Sequence, residues 1–167
     1  LAGNGIKVYL YDKLTPTPML SFAVRELGCD GGIVLTASHN PKEYNGYKVY
    51  GSDGCQVTDV AANEIIGYVN KVDTFNDVVV MGKIESIENG FINYIGNEMY
   101  EAYIERVKGL TIRDKLVEEH AADLKIIYTP IHGTGNIPVR MILDKLGYKQ
   151  VEIVKEQELP DGNFPTA

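Results

Sequence analysis

Ile6, Val8 and Leu10 alternate with Lys7, Tyr9 and Tyr11, the period-two pattern of a strand, and Asp12 ends it. Thr15-Pro16-Thr17-Pro18 opens a helix, because threonine caps and proline suits the first turn. Leu20, Ala23, Val24 and Leu27 then fall at i, i+3, i+4 and i+7, which makes one apolar stripe. Gly28 supplies the C-terminal stop. Gly31 to Thr36 is a short apolar run, consistent with a buried parallel strand. Strand, helix, strand predicts a right-handed βαβ unit. After a polar loop, Tyr47 to Tyr50 reads as a short strand and Ser52-Asp53-Gly54 as a turn. Thr58 caps a second helix with Ala61, Ile65, Tyr68, Val69 and Val72 on its apolar side. Asp77 to Ile84 is expected to be a strand.

The pattern changes between Asn93 and Asn97. Met99, Tyr103, Val107 and Leu110 mark a helix, and Thr111 is placed to cap another carrying Leu116 and Val117. Leu124 to Thr129 reads as a strand and Ile137 to Leu146 as a helix closed by Gly147. Gln150 to Val154 reads as a strand with Val151 and Ile153 inward. This is a second βαβ unit. A domain boundary is expected near residue 96, giving domains at 1–96 and 97–167. The halves share a layout but little sequence. Each has fewer parallel strands than a doubly wound sheet normally carries. The expected class is α/β, with two partial βαβ-containing domains.

Composition narrows the function. The 167 residues carry a net charge of −7, and 44% are apolar. Such a chain folds, and it offers no basic face for nucleic acid or acidic lipid. Cys29 and Cys55 stand far apart, with no Cys-x-x-Cys and no histidine at metal spacing. A reduced compartment fits, with cytoplasm as the default. No apolar run is long enough to span a bilayer, and no signal-peptide pattern opens the chain. The chain begins at Leu1 and ends at Pro165-Thr166-Ala167, so it reads as a segment of something longer.

The candidate chemistry is concentrated in Thr36-Ala37-Ser38-His39-Asn40-Pro41-Lys42-Glu43-Tyr44-Asn45-Gly46-Tyr47-Lys48. This stretch leaves the carboxyl end of an apolar strand, where open α/β sheets place ligand contacts. Pro41 keeps the backbone out of a ladder or helix. Asn45-Gly46 is a tight-turn pair that folds Lys48 back toward Ser38. On residue type alone Ser38 could equally make a local side-chain to backbone bond, with His39 and Lys48 as surface groups. His132-Gly133-Thr134-Gly135 lies between a strand and a helix, where glycines let backbone N–H groups converge on an anion. A structural turn with a satisfied loop histidine is the alternative. Proline stands at the third glycine position of a dinucleotide fingerprint, and no Gly-Lys-Ser/Thr follows for a Walker loop. Ser38 is not in a Gly-x-Ser-x-Gly elbow. The eleven tyrosines read as packing.

Thr36 to Pro41, continued by Tyr44 to Lys48 and on to Gln56, resembles the signature loop of the α-D-phosphohexomutase family, which includes phosphoglucomutases and phosphomannomutases. Tyr128-Thr129-Pro130-Ile131-His132-Gly133-Thr134-Gly135-Asn136 fits as well, and so does Glu156 to Pro165. The matches occur in the family's order, and the resemblance covers essentially the whole chain. Within the family it is most similar to the bacterial phosphoglucomutase branch, which also resembles phosphopentomutases.

The resemblance implies three-layer α/β domains of the phosphohexomutase type, the later part of the first and the early part of the second. It implies interconversion of glucose 1-phosphate and glucose 6-phosphate through a bisphosphorylated sugar, with mannose or pentose phosphates as alternatives. A non-catalytic phosphosugar-binding relative is a further alternative. On the resemblance Ser38 carries the phosphoryl group, Lys48 acts near the sugar hydroxyl, and His39 orients or handles a proton. Asn40 and Asn45 shape the loop, while His132, Gly133 and Gly135 contact phosphate. Mg²⁺ is the implied cofactor, with the Ser38 phosphate as one ligand, and glucose 1,6-bisphosphate is the implied activator. The family's N-terminal arginine, the Asp-x-Asp-x-Asp-Arg metal loop and the later domains are not in this sequence. The expected partners are the phosphosugar and those missing domains, and the segment alone is expected to be inert.

Overall fold

The computed structural model describes residues 1–38 and 40–166. In chain order they form β1 (Val8–Tyr11), α1 (Thr17–Glu26), β2 (Gly31–Thr36), β3 (Gly46–Gly51), α2 (Asp59–Val69), α3 (Lys83–Glu88), β4 (Ile92–Ile95), α4 (Asn97–Lys108), α5 (Asp114–His120), β5 (Lys125–Tyr128), α6 (Asn136–Lys145) and β6 (Gln150–Ile153). The class is α/β, as expected. The described residues group into two units. The first holds Leu1–Lys13, Leu20–Val34 and Tyr47–Gly96, and the second holds Leu14–Met19, Leu35–Gly46 and the residues from Asn97 onward.

In the first unit, α1 is stopped as its sequence requires. Gly28 takes φ 61°, and the Cys29 amide donates to the Val24 carbonyl at 2.8 Å. This is the left-handed closure that glycine adopts without steric cost. Ala23 and Val24 are buried, and α1 lies directly on β2. A Cβ on Gly32 would stand 2.7 Å from Val24 Cγ2 and 3.2 Å from Leu20 Cδ2. The other face of β2 is open, with Leu35 68% exposed.

That open face goes with a different pairing from the expected one. Among the described residues β2 pairs with β3, and the parallel partner of β1 is β4. A Cβ on Gly31 would stand 2.9 Å from the Tyr50 carbonyl oxygen, and one on Gly46 would stand 2.9 Å from the Thr36 carbonyl oxygen. The start of β2 thus meets the end of β3, so the pair is an antiparallel hairpin. The polar loop between them is short enough to turn the chain straight back, which sequence periodicity could not decide. The strand expected over Asp77 to Ile84 does not form: 78–82 has no regular structure and Lys83–Glu88 is helical. Val78, Val79 and Val80 are all more than half exposed, so the run lacks the covered face that makes β-branched residues favour a strand. Instead the backbone at Val79 closes on Gly3, where a Cβ would stand 2.4 Å from the Val79 carbonyl oxygen. Thr58 does precede α2, but its side chain makes no capping bond.

The second unit follows the sequence more closely. β5 and β6 run parallel in the register Lys125↔Gln150 to Tyr128↔Ile153, with α6 as their crossover. Ile126, Tyr128, Val151 and Ile153 are half-buried on alternate positions. Met99, Tyr100 and Ile104 bury one face of α4, and α4 packs on α6. Lys145 of α6 pairs with Glu101 at 3.1 Å and also with Glu105. Those bonds raise the Lys145 pKa and lower that of Glu105. The two glutamates are exposed and Lys145 is half-buried, so solvent screens much of the contribution. The Tyr100 hydroxyl donates to the Leu14 carbonyl and meets the Thr15 hydroxyl at 3.1 Å, which fixes the segment entering α1.

Two substitutions separate tight backbone packing from mere flexibility. Gly32→Val should destabilise the protein by roughly 1–3 kcal/mol, because α1 leaves no room for the side chain. Gly67 in α2 has no atom within 4 Å of where its Cβ would lie. Gly67→Ala should therefore stabilise by about 0.4–1 kcal/mol. Urea unfolding of both variants against the wild type checks the pair, and a stable Gly32→Val would contradict the packing.

Candidate functional site

The hairpin mouth carries the loop that the sequence singled out. Gly46 lies against the Thr36 carbonyl, so the loop leaves and re-enters the ladder at nearly one point. Ser38 is exposed at its start with φ 56°, a left-handed value uncommon for residues other than glycine, asparagine and aspartate. Its amide donates to Thr36 Oγ1 at 2.9 Å. The Asn40 amide donates to the Ala37 carbonyl and the Tyr44 amide to the Pro41 carbonyl, both at 2.9 Å. Two successive turns thus replace any ladder around Pro41, which has no N–H to give one. Asn40 and Asn45 are exposed within this loop, and Lys48 is half-buried on β3, two residues past Gly46. His39 lies outside the described residues.

The second segment sits between β5 and α6. His132 is only 7% exposed, with φ 56°. Its amide donates to the Gln157 carbonyl at 2.8 Å, and the Gly133 amide donates to the Pro130 carbonyl at 2.9 Å. Nδ1 meets the Leu159 carbonyl at 2.9 Å, and Nε2 meets the Thr166 hydroxyl at 2.8 Å. A carbonyl oxygen only accepts, so Nδ1 is the donor to Leu159, and Nε2 is engaged with the Thr166 hydroxyl. This geometry is that of the satisfied loop histidine. Gly135 immediately precedes α6, whose first amides lack intrahelical partners by construction. A Cβ on Gly135 would stand 3.5 Å from the Tyr128 hydroxyl, a phenol whose pKa burial raises.

The two loops are joined through the segment near the C-terminus. Lys42 donates to Asn163 Oδ1, and the Asn163 amide donates to Asp161 Oδ1 at 2.8 Å. Sequence reasoning missed Thr36, Lys42 and Thr166. Thr36 had a legible signal, because a hydroxyl two residues before a loop residue commonly bonds its backbone. The Lys42 and Thr166 contacts are long-range and left none. Among the described residues, no group of three or more His, Cys, Asp or Glu side chains could hold a metal ion. No helix among them is long and apolar enough to cross a membrane.

Comparison with known proteins gives these segments their context. Residues 1–76 match the family model for phosphoglucomutase/phosphomannomutase alpha/beta/alpha domain I, and residues 101–167 match the model for domain II. A phosphoglucomutase of Staphylococcus saprophyticus is 42% identical over 166 residues, which is 99% of this chain and 29% of that protein. A Haemophilus influenzae protein provisionally named phosphomannomutase is 35% identical over 171 residues, covering 99% of this chain and 32% of its own length. A solved structure from Thermus thermophilus, also provisionally named phosphomannomutase, aligns over 98% of this chain and 33% of its own, at 29% identity and a TM-score of 0.74. The chain thus spans about 29% of the length of the Staphylococcus phosphoglucomutases it matches. Both domain models fall in the family's order on one chain whose fold agrees with a solved relative, and the chain belongs to the phosphoglucomutase/phosphomannomutase family.

Proposed function

We propose that this chain is a segment of a phosphoglucomutase, with Ser38 as the phosphoryl carrier. The observation that carries the reading is Ser38 itself, exposed at the mouth of an antiparallel hairpin and bonded by its amide to Thr36 Oγ1. A carrier must reach a sugar hydroxyl, and it must return to one position after each transfer. Similarity to phosphoglucomutases supports the substrate class, and the similarity to proteins named for mannose phosphate keeps that sugar as the alternative. Pentose phosphates are a further alternative.

In this reading a hydroxyl oxygen of the sugar phosphate attacks the phosphorus on Ser38. The bond from phosphorus to Ser38 Oγ breaks, and the hydroxyl proton passes to a base. Lys48 serves as that base or as the cation that offsets the charge of the transferred group. His39 orients the serine or handles the proton. The bisphosphorylated sugar turns over and returns its other phosphoryl group to Ser38 Oγ, so one hard transfer becomes two easier ones. Glucose 1,6-bisphosphate primes the serine. Asn40 and Asn45 hold the loop's turns, and Gly133 and Gly135 shape the phosphate-facing turn before α6, where a helix start favours an anion. Mg²⁺ neutralises phosphate charge when bound. The described residues do not make its site, and this segment would contribute only the Ser38 phosphate. The carboxylates, the remaining domains and turnover itself belong to the longer protein, with domains at 1–96 and 97–167 here. The free Cys29 and Cys55 thiols suit the cytoplasm.

Two outcomes test the reading on the full-length protein. With glucose 1-phosphate, Mg²⁺ and a trace of glucose 1,6-bisphosphate, the wild type should form glucose 6-phosphate and show a phosphate on Ser38 by mass spectrometry. Ser38→Ala should lose both. Activity on mannose or ribose 1-phosphate alone would change the substrate, and no turnover of any of them would leave a binding protein. Separately, Thr36→Val removes one hydrogen bond, of about 0.5–1.5 kcal/mol, and should speed hydrogen exchange at the Ser38 amide. Thr36→Ser should restore protection. Equal exchange in all three proteins would show that Thr36 does not hold the serine.

A further inference from the structure

Residues 157–166 have little regular structure of their own, yet they are fastened to the loop before α6 at successive positions. The carbonyls of Gln157, Glu158 and Leu159 each accept a hydrogen bond, from the His132 amide, from Asn136 Nδ2 at 2.6 Å and from His132 Nδ1 respectively. Thr166 closes the series on His132 Nε2. Phe164 sets its ring edge-on to the imidazole, at 6.4 Å between centroids and 79° between planes. A single residue therefore holds both ends of a ten-residue stretch.

A phosphate ligand must turn an N–H toward the ligand. His132 has neither nitrogen to spare, because both are engaged within the protein and the ring is buried. The segment it holds does reach the serine loop, through Asn163 and Lys42. The same backbone that would shape an anion site thus serves to anchor a strap.

We propose that His132 is a positioning residue. It latches residues 157–166 onto the loop between β5 and α6, and through Asn163 and Lys42 it sets the resting position of the Ser38 loop. The catalytic consequence rests on Ser38 being the phosphoryl carrier, but the latch itself does not. Losing the latch should leave the sugar able to bind while the carrier samples wrong positions, which affects kcat and leaves KM.

The experiment compares His132→Phe, His132→Asn and Lys42→Met with the wild type, all in the full-length protein. His132→Phe keeps the ring volume without its nitrogens, while the asparagine amide can replace Nδ1 toward Leu159. Hydrogen exchange should rise in both 157–166 and 37–45 for His132→Phe, stay nearer wild type for His132→Asn, and rise only in 37–45 for Lys42→Met. Turnover of His132→Phe should fall ~10–100-fold in kcat, as misplacement of a reacting group does, with KM little changed. A raised KM with unchanged kcat and exchange would make His132 a direct ligand and overturn the proposal. So would unchanged exchange at 37–45 in Lys42→Met, which decides the matter even if His132→Phe fails to fold. A wild type with no phosphate on Ser38 would reject the carrier reading, while the exchange comparison would still decide the latch.

Discussion

The close approach of Gly46 to the Thr36 carbonyl is the contact on which the site depends. At 2.9 Å for a would-be Cβ, the backbones are too near for any side chain at position 46. That nearness closes the hairpin mouth and confines the loop to a fixed start and end. Given those ends, Pro41 and the Ala37–Asn40 and Pro41–Tyr44 turns leave few paths for the chain. Ser38 is exposed at the start of that loop. A glycine at 46 is thus part of the site's construction, although it brings no chemistry.

Each unit relies on a different kind of order. In the first, β1 finds its ladder partner in β4, far along the sequence, so much of the chain must be placed before the pair can form. Such contacts must offset the entropy of closing a long loop. In the second, β5, α6 and β6 are consecutive and pair in a simple parallel register. The residues from Leu14 to Met19 and from Leu35 to Gly46, drawn from earlier in the chain, join this second unit. The serine loop therefore shares a unit with the segment that contacts it, while Lys48 on β3 belongs to the other.

Several local signals in the sequence decide local structure, although the side chains of Thr58 and Thr111 do not cap α2 and α5. Gly28 ends α1 and Val151 and Ile153 face inward, whereas the turn expected at Asn45-Gly46 falls earlier, at Pro41–Tyr44, and Gly46 already opens β3. Other errors came where a partner decides. Gly31 to Thr36 has the apolar composition of a buried parallel strand, but composition does not show which strand lies beside it. Val78-Val79-Val80 has strand propensity and no covered face, so propensity alone misled. The serine motif stood out because its residues are adjacent. The bonds of His132 to Leu159 and Thr166 did not, because they depend on how two distant loops meet.

Backbone strain connects these findings. The described non-glycine residues with positive φ are Ser38, Ile131, His132 and Phe164, and all four lie in the serine loop, the loop before α6 or the segment between Gln157 and Thr166. Each such residue costs of order 1–3 kcal/mol, and a β-branched Ile131 is the least comfortable of them. Strain of that size persists only where surrounding bonds over-determine the backbone. The bonds of Thr36 to Ser38, and of His132 to Gln157, Leu159 and Thr166, are of that kind. A loop held this way has fewer accessible arrangements than an unbonded loop of the same length. On the proposed carrier role of Ser38, a single arrangement is what the transfer would require. The strained residues and the hydrogen bonds beside them together restrict the backbone of these three segments.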